Sequence, residues 1–295
     1  MDPASSQTSS QETSPETASE PPLHPLNTGF RWMRAPGPPR MLRQEQVRSY
    51  DEQGFFVLES AFDSDTLARA IREIDAFEAA TEAILERAPG GRISIARAGE
   101  ISFSVHLVMR SEWLRAFCAG EVFRGLVGDL IGPDVRLYWD QAVYKKPGTT
   151  APFPWHQDNG YTFIEPQQYL TCWVALTDAT ERNGCPWVAP GMHRRGTLAH
   201  RESDLGFVCF DGEPEGARPV PARAGDVVVF SSLTPHATGP NLTDSVRKAY
   251  IVQFTPDGAR LLLRDGAGAV TKVAAAHPER QFPILRAGRA PAEAV

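Results

Sequence analysis

The chain is poor in cysteine, with four in 295 residues and no C-x-x-C pair. Cys118, Cys172, Cys185 and Cys209 are too scattered for a thiolate zinc site or a disulfide framework. They read as buried or free thiols in a reducing cytoplasm. Basic residues are not in excess. The net charge of −6 argues against a general nucleic-acid binder, whose surface must neutralise phosphates. No apolar run approaches about 18 residues, so no membrane span is expected. A basic start followed by an apolar segment is also missing. No secretory signal is therefore expected, and the sequon at Asn241-Leu242-Thr243 reads as chance. No internal repeat is visible. Large apolar side chains are nearly absent from the first 28 or so residues, which cannot bury enough surface to offset their ordering entropy. With the Pro-rich stretch at residues 34–39, this predicts a disordered tail over residues 1–40 and a single domain over 41–295.

What is present reads as mainly β with flanking helices. Residues 44–53 form a short helix stopped by Gly54. Residues 55–58 read as a first strand. Asp63 or Ser64 caps a second helix whose stripe is Leu67, Ala70, Ile71, Ile74 and Phe77. A third helix is expected over residues 112–130, ended by Gly132-Pro133. A long strand follows over 135–144. Short apolar runs then alternate with turn signals such as Asn183-Gly184 and Pro190-Gly191, the pattern of an antiparallel barrel or jelly roll. Residues 261–263 and 282–285 are expected to add flanking strands or cover.

The chemistry centres on Trp155-His156-Gln157-Asp158. In an extended strand positions i and i+2 share a face, so His156 and Asp158 would project together. His236 follows the apolar run at 227–230 and supplies a second histidine far away in sequence. Two histidines and one carboxylate occupy one face of an octahedron and leave three positions open, as suits non-haem Fe(II). Closed structural zinc sites use four protein ligands instead. Arg247 opens the next strand, and its planar fork suits a carboxylate. Thr238 adds a hydroxyl two residues after His236.

His156-Gln157-Asp158, Cys172-Trp173, Asn183-Gly184-Cys185, Pro190-Gly191-Met192-His193-Arg194, Gly225-Asp226, His236-Ala237-Thr238-Gly239 and Arg247-Lys248-Ala249 occur in an order that resembles the phytanoyl-CoA dioxygenase family. The opening at residues 50–58 is similar too, so the resemblance covers roughly residues 42 to 256. It implies a double-stranded β-helix, a cupin-like jelly roll with helices on one side. It implies an Fe(II)/2-oxoglutarate-dependent dioxygenase using O₂, with ascorbate as reductant in vitro. His156, Asp158 and His236 would be the metal ligands and the catalytic set. Arg247 and Thr238 would hold the far carboxylate of 2-oxoglutarate. Gln157, Trp173 and, in a looser alignment, Gln141 would line the cosubstrate pocket.

Oxidative decarboxylation to succinate and CO₂ would then drive hydroxylation of an unactivated C–H bond in a small molecule. Desaturation, ring closure or epimerisation are alternative outcomes of the same chemistry. Halogenases of related families lack the carboxylate that Asp158 supplies, so halogenation is disfavoured. His106, Tyr144, Asn159 and Tyr161 are candidate substrate contacts. His193 and His200 read as non-ligands. Arginines at 92–110 and 193–218 raise the option of an anionic or carrier-bound substrate, although a solvated charged surface is favoured. Two other classes stay open. One is a non-oxidative cupin-like enzyme using Zn²⁺ or Mn²⁺, and the other is a non-catalytic jelly-roll binding protein.

Overall fold

The computed structural model describes residues 20–292. Its centre is a large antiparallel sheet. Phe55–Leu58 lies at one edge, followed by Val227–Ser231, Leu170–Ala175, Arg247–Pro256, Val135–Lys145 and Ile101–Val105. A smaller antiparallel sheet holds Arg218–Pro219, Pro186–Val188, His236–Thr238 and Phe153–His156 in that order. This is the jelly roll expected from the turn spacing.

Strand parity explains why the central runs are apolar without a break. Val228, Phe230, Trp173, Ala175, Ala249 and Ile251 point into the space between the sheets, where they meet Val188 and Cys185. Their neighbours Val227, Val229, Cys172, Val174, Tyr250 and Val252 point the other way and pack against helices. A sheet covered on both faces needs apolar side chains at every position. The same parity puts Gln141, Lys145 and Arg247 between the sheets and Tyr144 on the helix side.

The helices supply that outer cover. Gln44–Gln53 ends at Gly54, which is left-handed at φ 86°. A Cβ there would lie 2.5 Å from the Thr234 hydroxyl, so both conformation and space require glycine. Ser64–Arg87 starts with Asp63 accepting the Thr66 amide at 2.8 Å. The expected single helix over 112–130 is two helices, Glu112–Cys118 and Glu121–Leu130. The break falls at Ala119-Gly120, and it lets Leu114, Phe117, Phe123 and Leu126 all reach the sheet. Pro283–Leu285 pairs with the start of Val135–Lys145, and Arg260–Arg264 forms a small sheet with Val270–Ala274, matching the expected flanking strands.

The expected tail over residues 1–40 divides in two. Residues 1–19 lie outside the described residues. Residues 20–40 are laid along the body instead of being free. Asn27 donates to the carbonyls of Arg195 and Thr197, both at 2.9 Å. His24 stacks on Phe163, and Trp32 packs edge-on against His193. The Asp129 carboxylate accepts the amides of Arg40, Met41 and Leu42. A few anchors thus fix a stretch whose average composition reads as unstructured.

Candidate functional site

The two sheets bring His156 and His236 opposite one another as paired residues of adjacent strands. His156 is the last residue of Phe153–His156. The strand does not continue to Asp158, which opens the helical turn Asp158–Tyr161. The shared face expected of a strand is therefore made by a strand end and a turn. One potential donor atom from each of His156, Asp158 and His236 lies within 4.8 Å of the others, the single such cluster among the described residues. His236 Nε2 is 3.8 Å from Asp158 Oδ1.

Hydrogen bonds set which nitrogen each ring offers. His156 Nδ1 lies 2.8 Å from the Pro154 carbonyl, and His236 Nδ1 lies 3.0 Å from the Thr234 carbonyl. A carbonyl accepts, so Nδ1 carries the proton and Nε2 keeps its lone pair for a metal. Burial pushes His156 down to about 3 and His236 down to about 4, so both rings are neutral at ordinary pH. Burial also raises Asp158 above the usual carboxylate range. Its Oδ2 accepts the Thr171 hydroxyl at 2.5 Å, and Thr171 accepts from Gln253 Nε2 at 3.3 Å. Two neutral imidazoles and a desolvated carboxylate converging on one point form a donor set that a divalent transition-metal ion such as Fe²⁺ fits.

Arg247 lies deeper between the sheets and is 1% exposed. None of its three guanidinium nitrogens has a partner, and its Cζ sits 5.3 Å from the centre of the Trp173 ring. An unpaired buried cation is costly, and a bound anion would relieve it. Lys145 is its cross-strand partner and is equally buried. Lys145 Nζ donates to the Gly239 carbonyl at 2.5 Å and to Thr238 Oγ1 at 3.2 Å. Burial, then Arg247, brings Lys145 down to about 7. Neither cation has a carboxylate partner among the described residues.

Other expected positions fall elsewhere. Gln157 is fully buried but turned away: it donates to the carbonyls of Gly196 and Leu233 and accepts the Leu198 amide. Those bonds pin the loops behind the clustered residues. Gln141 and Tyr161 line a cavity of about 540 Å³ that opens onto His156 and Asp158. Tyr144 is on the helix side and donates to Asp75 at 2.6 Å. Asn159 is buried, bonding Thr197 Oγ1 and accepting the Ile164 amide. His106 stands edge-on behind Trp139 and pairs with Arg280, outside the cavity wall. His193 and His200 are not ligands; His200 Nε2 accepts the Gln157 amide at 2.9 Å. Lys145 and Thr171 were not anticipated. Thr171 leaves a trace in the sequence, as the one polar side chain at the inward parity of Leu170–Ala175.

Residues 50–249 match the family model for phytanoyl-CoA dioxygenase, a span that encloses the three clustered residues and Arg247. The chain belongs to that family. A methylphosphonate hydroxylase of Gimesia maris is 34% identical over 156 residues, which are 49% of this chain and 57% of that protein. The chain therefore spans little more than half the length of that relative. Phytanoyl-CoA dioxygenase 1 of Oryza sativa is 26% identical over 249 residues, covering 72% of this chain and 88% of that one. Among solved structures, the non-haem 2-oxoglutarate-dependent carbocyclase SnoK of nogalamycin biosynthesis is 27% identical with a TM-score of 0.59, covering 76% of this chain and 89% of that one. The family takes its name from a dioxygenase.

Proposed function

We propose that the protein is an Fe(II)- and 2-oxoglutarate-dependent dioxygenase that hydroxylates an unactivated C–H bond of a small molecule. The observation that carries this is the conjunction of an open three-residue donor set with a buried, partnerless arginine. His156, Asp158 and His236 would hold the iron through Nε2, a carboxylate oxygen and Nε2. When bound, iron with 2-oxoglutarate and O₂ supplies the oxidant for C–H cleavage, with succinate and CO₂ as co-products. Arg247 receives the far carboxylate through its fork, beside Thr238 and Lys145. Trp173 flanks that end. The apolar walls exclude water while the reacting bond is held.

The presence of Asp158 disfavours halogenation. A non-oxidative metal enzyme would have no use for a buried cation aimed at a dicarboxylate. The four buried free thiols support a reducing compartment such as the cytoplasm. No helix among the described residues is long and apolar enough to cross a membrane.

The direct test supplies purified protein with Fe(II), ascorbate, O₂ and 2-oxoglutarate and follows succinate. Steady succinate formation is expected; failure to bind 2-oxoglutarate in the presence of Fe(II) would refute the reading. Thr171 offers a finer check. Losing a group that orients a metal ligand costs about 10- to 100-fold in metal affinity. Thr171→Val is therefore expected to weaken Fe(II) binding by about that factor in a metal titration, with the fold intact.

A further inference from the structure

The cavity over His156 and Asp158 has one feature that separates it from the surface around it: no lysine or arginine lines it. Its walls are Phe103, Tyr138, Trp139, Phe153, Tyr161 and Tyr169, with aliphatic side chains between them. Its polar groups other than His156 and Asp158 are neutral amides and hydroxyls, among them Gln141 and Gln253. The rim is apolar too. Ile84 and Ile93 are 58% and 48% exposed, unusual for large aliphatic side chains placed together.

The arginines that could have served an anion are engaged elsewhere. Arg92 donates to the Asp204 and Ser94 carbonyls, and Arg97 pairs with Glu100. Arg194 donates to the Asp51 carbonyl, Arg195 pairs with Glu20, and Arg201 pairs with Asp211. Arg110 lies over the Phe77 ring. Arg280 sits behind Trp139 through His106. An anion entering the cavity would lose its water and find no lysine or arginine on the walls to pair with. Flat apolar rings, in contrast, would meet aromatic faces on several sides.

We infer that the cavity takes a neutral, predominantly apolar small molecule bearing rings, and not an anion such as a phosphonate or carboxylate. This rests on the oxygenase reading, since it takes the side of the cavity at His156 and Asp158 as the reacting end. The occupant's rings lie between the sheet wall at Phe103 and Trp139 and the turn carrying Tyr161. Its oxidised carbon is the one nearest His156 and Asp158.

The test uses the full chain, loaded anaerobically with Fe(II) and 2-oxoglutarate, and two probes. N-phenyl-1-naphthylamine is neutral and ring-bearing, and its fluorescence rises in apolar surroundings. Methylphosphonate is small and anionic. Saturable binding of the first is expected, with no displacement by the second. Ile95→Arg places a cation in the wall, and Ile84→Arg does so at an exposed helical position where folding is not at stake. Each is expected to weaken the dye at least tenfold while the charge-transfer absorption of the iron–2-oxoglutarate complex persists. Displacement of the dye by methylphosphonate, or methylphosphonate-stimulated succinate formation, overturns the inference. Dye binding unaltered by both substitutions also overturns it, because the dye would then lie outside this cavity. Absence of the iron–2-oxoglutarate absorption in the wild type sinks the oxygenase reading instead, and dye binding to the metal-free chain still decides the character of the cavity.

Discussion

His156→Ala and Asp158→Ala are each expected to reduce succinate formation to background. A hydrogen-bond partner such as Thr171 is worth about 10- to 100-fold in metal affinity, so a ligand itself should be worth more than about 100-fold. The Asp158 variant is the cleaner of the two. Its carboxylate is buried and held above its ordinary range by desolvation, so in the metal-free protein it is a burden. Asp158→Ala should therefore leave the metal-free Tm unchanged or higher. In the wild type, Fe(II) at about 100 times its Kd should add about 2.7 kcal/mol of stability. The variant should gain none. A thermal melt with and without Fe(II) reads both effects. An Fe(II)-dependent rise in Tm that survives Asp158→Ala would show that the metal is held elsewhere.

The clustering of His156, Asp158 and His236 was legible because the pattern is particular: H-x-D, a distant histidine and a following arginine have few other joint uses. The geometry behind them was less so. A strand would have given His156 and Asp158 a common face, and the same result is reached by a strand end and one helical turn. Gln157, between them in sequence, has its side chain held by Leu198 and Leu233, a loop contact with no local signal. Tyr144 and Lys145 show a different limit. The sheet is covered on both faces, so hydrophobicity does not say which side a residue serves. Only the register against Arg247–Pro256, a pairing across more than a hundred residues, puts Lys145 inward and Tyr144 outward. Most of the cavity wall was equally hidden. Phe103, Trp139 and Tyr169 come from three separate segments, and none has a local signal separating it from core, whereas Tyr161 stands out only through its place beside the H-x-D motif.

Arg247→Met is the second large effect, expected as a rise of about 100- to 10,000-fold in the KM for 2-oxoglutarate. A hydrogen bond to a charged group contributes about 1.5–3 kcal/mol, and the guanidinium fork can make two. Each 1.4 kcal/mol is about tenfold in affinity. Fe(II) binding should be little changed, since Arg247 is not in the metal cluster. The ligand-free variant should also be at least as stable as the wild type, because the substitution removes a buried cation with no partner. Lys145 adds a pH dependence to the same pocket. The unfolded chain keeps its proton on Lys145 to about 10.5, and the folded chain only to about 7. Between these values the unfolded state binds more protons, so the ligand-free protein should gain stability as pH rises through that window. Binding behaves oppositely. A carboxylate beside Lys145 favours the protonated amine, so affinity for 2-oxoglutarate should fall above about pH 7, by at most about tenfold per unit. The other charged group facing Lys145 is Arg247, whose own value stays at about 10, so the slope near neutrality belongs to Lys145. Lys145→Met should flatten the pH profile and raise the KM by less than Arg247→Met does, because Lys145 Nζ already spends hydrogen bonds on Gly239 and Thr238. A profile that keeps its slope in Lys145→Met would place the titrating group outside this pocket. An Arg247→Met variant with a wild-type KM would mean that the buried arginine serves some other anion.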